Sequence, residues 1–281
     1  MKKGLILEGG AMRGMFTCGV TDVMMEKGIA FDGAVGVSAG AVFGCNYKSA
    51  QAGRAIRYNT RFSRDKRYCS FRSLIRTGDL YGADFCYRQL PRELDLFDYE
   101  TYKSSSMEFY AVCTDVLTGE AVYKRCDTCD EYEIEWLRAS ASMPLVSRVV
   151  EIDGGSYLDG GIADSIPLSF FESIGYVKNV VVLTRPRGYV KKKNRVLPAM
   201  KLFLRKYPRL IDAMERRHEM YNRQCEYVFS RERQGDVLVI CPDSALPIGR
   251  IEKDPEKLRA VYDIGRENCQ RRISEIREFL K

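Results

Sequence analysis

The sequence predicts an α/β protein: a mostly parallel sheet covered on both faces by helices, followed by a helical C-terminal extension. Strand-like apolar runs at 5–7, 34–37, 108–114 and 179–184 alternate with stretches of helical periodicity. That alternation builds parallel sheets, because each parallel connection needs a crossover segment. The first two runs also end in glycine-rich turns that lead directly into helix-like sequence. At 281 residues, 45% of them hydrophobic, the chain can bury one large core, while 30% charged residues supply a polar surface.

The first strand runs into Glu8-Gly9-Gly10-Ala11-Met12-Arg13-Gly14, after which Met15, Phe16, Val20, Val23 and Met24 recur at helical spacing. Such a loop presents backbone N–H groups at a helix N-terminus, which suits a phosphate or the oxyanion formed when an ester carbonyl is attacked. A dinucleotide fingerprint fails because Ala11 stands where its second glycine belongs. A P-loop fails because no Lys-Ser/Thr pair follows. Asp32 lies at the separation of a ribose-binding acid but precedes Gly33, so it reads as the turn before the next strand. The run 31–37 then meets a helix at Gly36-Val37-Ser38-Ala39-Gly40. An ordinary glycine-rich turn can carry the same five residues, but their place between strand and helix is that of a nucleophile elbow, with glycines flanking a sharp bend that exposes the Ser38 hydroxyl.

Further on, 149–152 and 156–158 read as two short strands joined at Asp153-Gly154-Gly155, and the second ends in Asp159-Gly160-Gly161. Asp153 suits a hairpin turn. Asp159, at a strand end beside two glycines, is the acid chosen for chemistry. The α/β pattern stops at Arg185-Pro186-Arg187-Gly188, which divides the chain into a catalytic domain, 1–188, and a basic, mainly helical extension packed on it, 189–281. In the extension a long helical stretch runs towards Gln234, 236–241 reads as a strand, and Asp254-Pro255 opens a last helix. There Leu258, Val261, Tyr262, Ile273, Ile276, Phe279 and Leu280 form an apolar stripe read as core.

Together these motifs resemble those of the bacterial patatin-like phospholipases, serine lipid acyl hydrolases. The loop 9–14 is similar to the family's oxyanion loop with its basic residue, Gly36 to Gly40 to its elbow, and Asp159-Gly160-Gly161 to its DG[AG] motif. Thr114-Asp115-Val116-Leu117-Thr118-Gly119 and Ala139-Ser140-Ala141-Ser142-Met143-Pro144 also resemble family segments, all in the family's order. The first loop departs by carrying two consecutive glycines where many relatives have three. The resemblance implies a three-layer α/β/α patatin-like fold and a dyad of Ser38 with Asp159 as its base. It places an oxyanion hole among Gly9, Gly10, Ala11, Met12, Arg13 and Gly14, implies a lipid or fatty-acyl ester substrate, and calls for neither metal nor organic cofactor.

One histidine tests the alternative of a triad. Ser38, Asp159 and His218 fall in the order of an α/β-hydrolase triad, yet His218 lies in Glu215-Arg216-Arg217-His218-Glu219, which reads as a solvated helix face. Ten scattered cysteines read as reduced thiols, and Cys126-Asp127-Thr128-Cys129 lacks the second pair that a zinc site needs. No apolar run is long enough to span a bilayer, and the stretch after Lys2-Lys3 stops too soon for a cleavable signal, so a cytoplasmic location is expected. Basic residues cluster: 15 Lys or Arg against 5 acids over 185–233, and 8 against 1 over 54–76, in a chain of net charge +7. These segments, with Tyr189, Val190, Leu197, Met200, Leu202, Phe203, Leu204 and Tyr207 among the charges, point to peripheral contact with the anionic inner membrane face. A solvated face and a mobile connector account for them equally. Nucleic acid is not expected, since no recognition motif accompanies the charge. A non-catalytic protein that keeps the fold and binds anionic lipid or nucleotide is the alternative function.

Overall fold

A computed structural model describes residues 1–281. Its single sheet contains β1 (Lys2–Leu7), β2 (Gly33–Val37), β3 (Glu108–Asp115), β4 (Ala121–Arg125), β5 (Val150–Ile152), β6 (Gly155–Asp159), β7 (Tyr176–Val182) and β8 (Val237–Ile240). The order is β5-β6-β3-β2-β1-β7-β8, with β4 beside β3. Strands β3, β2, β1, β7 and β8 run parallel, and β4, β6 and β5 add antiparallel pairs at one side. The short strand β4 is absent from the sequence reading, because its half-buried residues carry no clean alternation.

The helices are α1 (Gly14–Glu26), α2 (Ala39–Lys48), α3 (Arg54–Phe62), α4 (Phe71–Thr77), α5 (Tyr99–Ser104), α6 (Glu131–Ser140), α7 (Leu168–Ser173), α8 (Leu197–Phe203), α9 (Pro208–Arg233) and α10 (Pro255–Phe279). Period-two alternation sends successive strand residues to opposite layers. Leu5 and Leu7 enter a core with α1, α2, α3, α6 and α10, while Ile6 enters a second core with Val35, Val37, Leu168 and Phe171 of α7, and Tyr221 and Val228 of α9. That is the expected α/β/α layering. The extension is part of it: β8 pairs with β7 at the sheet edge, and Leu258, Val261, Tyr262, Ile276 and Leu280 of the last helix region are core.

Two expectations about the basic segments change. Leu197, Met200, Leu204 and Tyr207 are buried with Leu158, Leu210 and Met214, because helical spacing turns one face of α8 inward; Val190, Leu202 and Phe203 stay exposed. Arg54 and Arg57 are not free surface charges, since both reach Asp95, Arg57 through two hydrogen bonds of 2.7 Å. The Cys126–Cys129 turn is held by Glu133, whose carboxylate accepts from the amides of Asp127, Thr128 and Cys129 at 3.0, 2.7 and 2.6 Å. No helix is long and apolar enough to cross a membrane.

Candidate active site

Strand β3 brings Ser38 and Asp159 together. Its residues up to Val112 pair with β2, where Val37 is the last partner, and the next residue, Cys113, pairs with Asp159 of β6. Because β4 occupies the other edge of β3, β2 and the antiparallel β6 meet end to end along one edge. Ser38, one residue beyond β2, therefore stands against the last residue of β6.

The elbow holds Ser38 at φ 55° and ψ −121°, a backbone state that side chains rarely adopt. Gly36 and Gly40 permit it: a Cβ on Gly36 would lie 2.4 Å from the Gly40 carbonyl oxygen, and one on Gly40 2.3 Å from that of Leu7. The Ser38 N–H donates to the Ser140 hydroxyl at 3.0 Å. Asp159 is fixed from both sides, its N–H donating to the Ser142 carbonyl at 2.8 Å and its carbonyl accepting from the Thr114 hydroxyl at 2.9 Å. Thus the two segments flagged between the main motifs, at Thr114 and at Ser140 and Ser142, support the pair.

The Asp159 carboxylate is 3% exposed and accepts the Gly161 N–H at 2.8 Å. Burial raises its pKa above the usual carboxylate value. Arg217, the Ser38 hydroxyl, the Gly161 amide and Arg250 all oppose that shift, and burial outweighs them. Asp153, by contrast, sits at the tip of the β5–β6 hairpin with φ 52°, followed by Gly154 at φ 75°, and bonds the Tyr132 hydroxyl. His218 is half-buried on α9, with Nδ1 3.0 Å from the Glu215 carbonyl oxygen and Nε2 3.9 Å from Glu219, and lines no part of the space around Ser38 and Asp159.

In the loop 9–14 the amides divide. Met12 N–H donates to the Arg250 carbonyl at 3.3 Å and Arg13 N–H to that of Gly10 at 3.2 Å, while Gly14 N–H caps onto Ala11 and Met12. Those of Gly9, Gly10 and Ala11 have no acceptor in the protein, which narrows the expected oxyanion donors to these three. Ala11 adopts φ 48°, a conformation that glycine reaches without strain.

Ser38 lies at the junction of two unlike spaces. One is an apolar cavity lined by Val42, Phe43, Tyr58, Leu90, Leu137 and Val146 among others. The other is a polar recess with Arg13, Asp159, Arg185, Lys191, Arg217 and Arg250 in its wall. Sequence reasoning missed Glu8, Lys191, Arg217, Tyr221 and Arg250 as residues of this site. Glu8 is buried beneath the recess, accepting from Thr184 N–H at 2.6 Å and from the Tyr221 hydroxyl at 2.8 Å. An acid between a buried strand and a glycine loop was a signal available in the sequence.

The patatin-like phospholipase profile matches residues 5–171, more than half of the chain, and a domain of unknown function (DUF6363) matches 207–281. The chain belongs to the patatin-like phospholipase family. It is 32% identical over 196 residues to the uncharacterized protein YjjU of Escherichia coli K12, covering 65% of this chain and 52% of that protein. It is 26% identical over 183 residues to the lysophospholipase nte1 of Emericella nidulans, covering 61% of this chain and 11% of that protein. The chain thus spans about half of the first relative and a small part of the second. VipD from Legionella pneumophila aligns in structure with a TM-score of 0.46 at 13% identity, over 98% of this chain and 67% of that one.

Proposed function

We propose that the protein is a serine acyl hydrolase of lipid carboxylic esters, acting through an acyl-enzyme on Ser38 with Asp159 as the base. The observation that carries this reading is the strained Ser38 facing a buried carboxylate of raised pKa at the mouth of an apolar cavity. The acyl chain lies in the cavity, with its carbonyl between Ser38 and the free amides of Gly9, Gly10 and Ala11. Ser38 Oγ bonds to the carbonyl carbon as its proton passes to Asp159, and the oxyanion is held by the amides. Collapse expels the alcohol portion, which takes the proton. Water then gives a proton to Asp159, attacks the acyl-enzyme and releases the fatty acid with Ser38 restored. A carboxylate is a weak base for an alcohol, so a raised pKa favours the transfer. No metal or organic cofactor enters this scheme. Residues 1–188 form the catalytic part in this reading, and 189–281 complete its polar wall.

The membrane reading rests on exposed Val190, Leu202 and Phe203 beside Lys192, Lys193 and Arg205. A fluorophosphonate probe tests the central point. It labels the native protein at Ser38 and leaves Ser38→Ala unlabelled; absence of labelling in the native protein removes the activated serine and leaves the non-catalytic binder.

A further inference from the structure

Helix α9 buries Leu210, Met214, Tyr221 and Val228. Their spacing of three and four residues runs through 217 and 224, so Arg217 and Gln224 stand on an inward stripe where apolar residues are expected. Both reach the segment that follows Asp159. Gln224 accepts the amides of Ser165 and Ile166 at 3.2 and 3.1 Å and donates to the Asp164 carboxylate at 2.6 Å. Arg217 Nε donates to the Gly161 carbonyl, which also accepts the Ser165 hydroxyl at 2.8 Å. The amide of the same Gly161 donates to Asp159 Oδ1 at 2.8 Å. A Cβ on Gly161 would lie 3.0 Å from Arg217 Nη2 and 3.1 Å from Asp159 Oδ1, so the glycine lets guanidinium and carboxylate close in on it together. Burial lowers the Arg217 pKa, and Asp159 is the strongest influence against that shift. The other titratable groups facing Asp159 are Glu8 and Arg13 after β1, Arg185 and Lys191 after β7, Tyr221 of α9, Arg250, and Cys113 of β3. Among the cations, Arg217 is the one bonded to the backbone that holds the carboxylate.

We propose that Arg217, supplied by the extension, is a positioning residue for Asp159: it fixes Gly161, whose amide orients the carboxylate towards Ser38, and it sets a countercharge beside that carboxylate. The domain of unknown function at 207–281 thereby takes part in the reaction without touching the substrate. The inference rests on the reading of Asp159 as base. A neighbouring guanidinium favours the ionised carboxylate, the form that can accept the Ser38 proton.

The test follows kcat and KM for a short-chain p-nitrophenyl ester between pH 4 and 8 in the native protein, Arg217→Gln and Arg217→Lys, with the Tm of each. Arg217→Gln lowers the plateau kcat by about tenfold with KM little changed, the worth of one charge-assisted hydrogen bond. It also moves the acid limb of kcat/KM to higher pH, because a carboxylate that loses a nearby cation holds its proton more firmly. Arg217→Lys keeps the charge but not the planar fork, so its limb stays at the native position and its kcat falls between the other two. Lys191, pushed down to about 7 by burial and then by Arg217 against Glu8, changes charge at the alkaline end, which leaves the acid limb to Asp159. A merely structural arginine would lower Tm and leave the limb in place. An Arg217→Gln limb that coincides with the native one, or a loss confined to KM, overturns the proposal. If that variant does not fold, Arg217→Lys decides alone: a native kcat overturns the proposal, and a lowered kcat at native Tm with the limb in place sustains it. Asp159→Asn is assayed alongside. An inactive Asp159→Asn with unmoved Arg217 profiles removes this inference alone, whereas near-native Asp159→Asn activity removes the dyad and this inference with it.

Discussion

Ser38 occupies its position at a cost in backbone energy, since a non-glycine residue at φ 55° stores about 1–3 kcal/mol and persists only where its surroundings enforce it. The Ser140 hydroxyl and the close approach of Gly36 to Gly40 supply that enforcement. Asp159 is a second local cost. Its pKa is raised in the folded state, so its contribution to stability is complete below the ordinary carboxylate pKa and is lost as pH rises through the folded value. Under the proposed mechanism activity depends on pH in the opposite sense, because Asp159 must be ionised to act as base, and the rate is expected to fall as pH drops through the same raised value. Asp159→Asn is therefore expected to abolish hydrolysis while raising Tm at neutral pH, by roughly 2–4 °C for each 1 kcal/mol recovered. Melting curves of both proteins between pH 4 and 8 check this, with the Tm difference vanishing at the acid end; a variant that is less stable at neutral pH refutes the cost assigned to the carboxylate.

At the scale of elements, the site is a consequence of β2 and β6 sharing one edge of β3. The strand runs 34–37 and 108–114 and the hairpin at Asp153 were readable because apolar runs and turn residues are local signals. That β6 follows β2 along the same edge was not, since register between distant strands is written in packing rather than in either strand. Strand β4, which fills the other edge of β3 and so directs β6 to the β2 edge, gave no pattern at all. Ser140 shows the same limit: its segment could be matched to a family, but its bond to the Ser38 amide needed the fold. Because that bond fixes the elbow and touches no substrate, Ser140→Ala is expected to lower kcat by about tenfold, with a smaller change in KM, for one lost buried hydrogen bond worth about 1–2 kcal/mol. Ser140→Thr, which retains the hydroxyl, restores part of kcat. A loss confined to KM, or to stability with kcat intact, contradicts the positioning role.

Across the whole molecule, residues distant in sequence converge on Ser38: the loop after β1, the end of β6, and side chains from the extension. The basic composition of 185–233 was legible as a number, but a charge count has no direction. Arg217 lies in a stretch that reads as solvated, yet its guanidinium donates to the Gly161 carbonyl and faces Asp159. Conversely, several apolar residues of 197–207 that suggested a surface turn out to be core. The account stands on one pairing that only the complete fold creates, a serine activated directly by an aspartate with the lone histidine uninvolved. Its most direct test is kcat/KM for a short-chain p-nitrophenyl ester in Ser38→Ala, Asp159→Asn and His218→Ala. The first two are expected to fall by about a thousandfold or more, and the third to stay within about twofold of the native protein. A His218→Ala protein as inactive as Ser38→Ala, or an Asp159→Asn protein near native activity, contradicts the dyad.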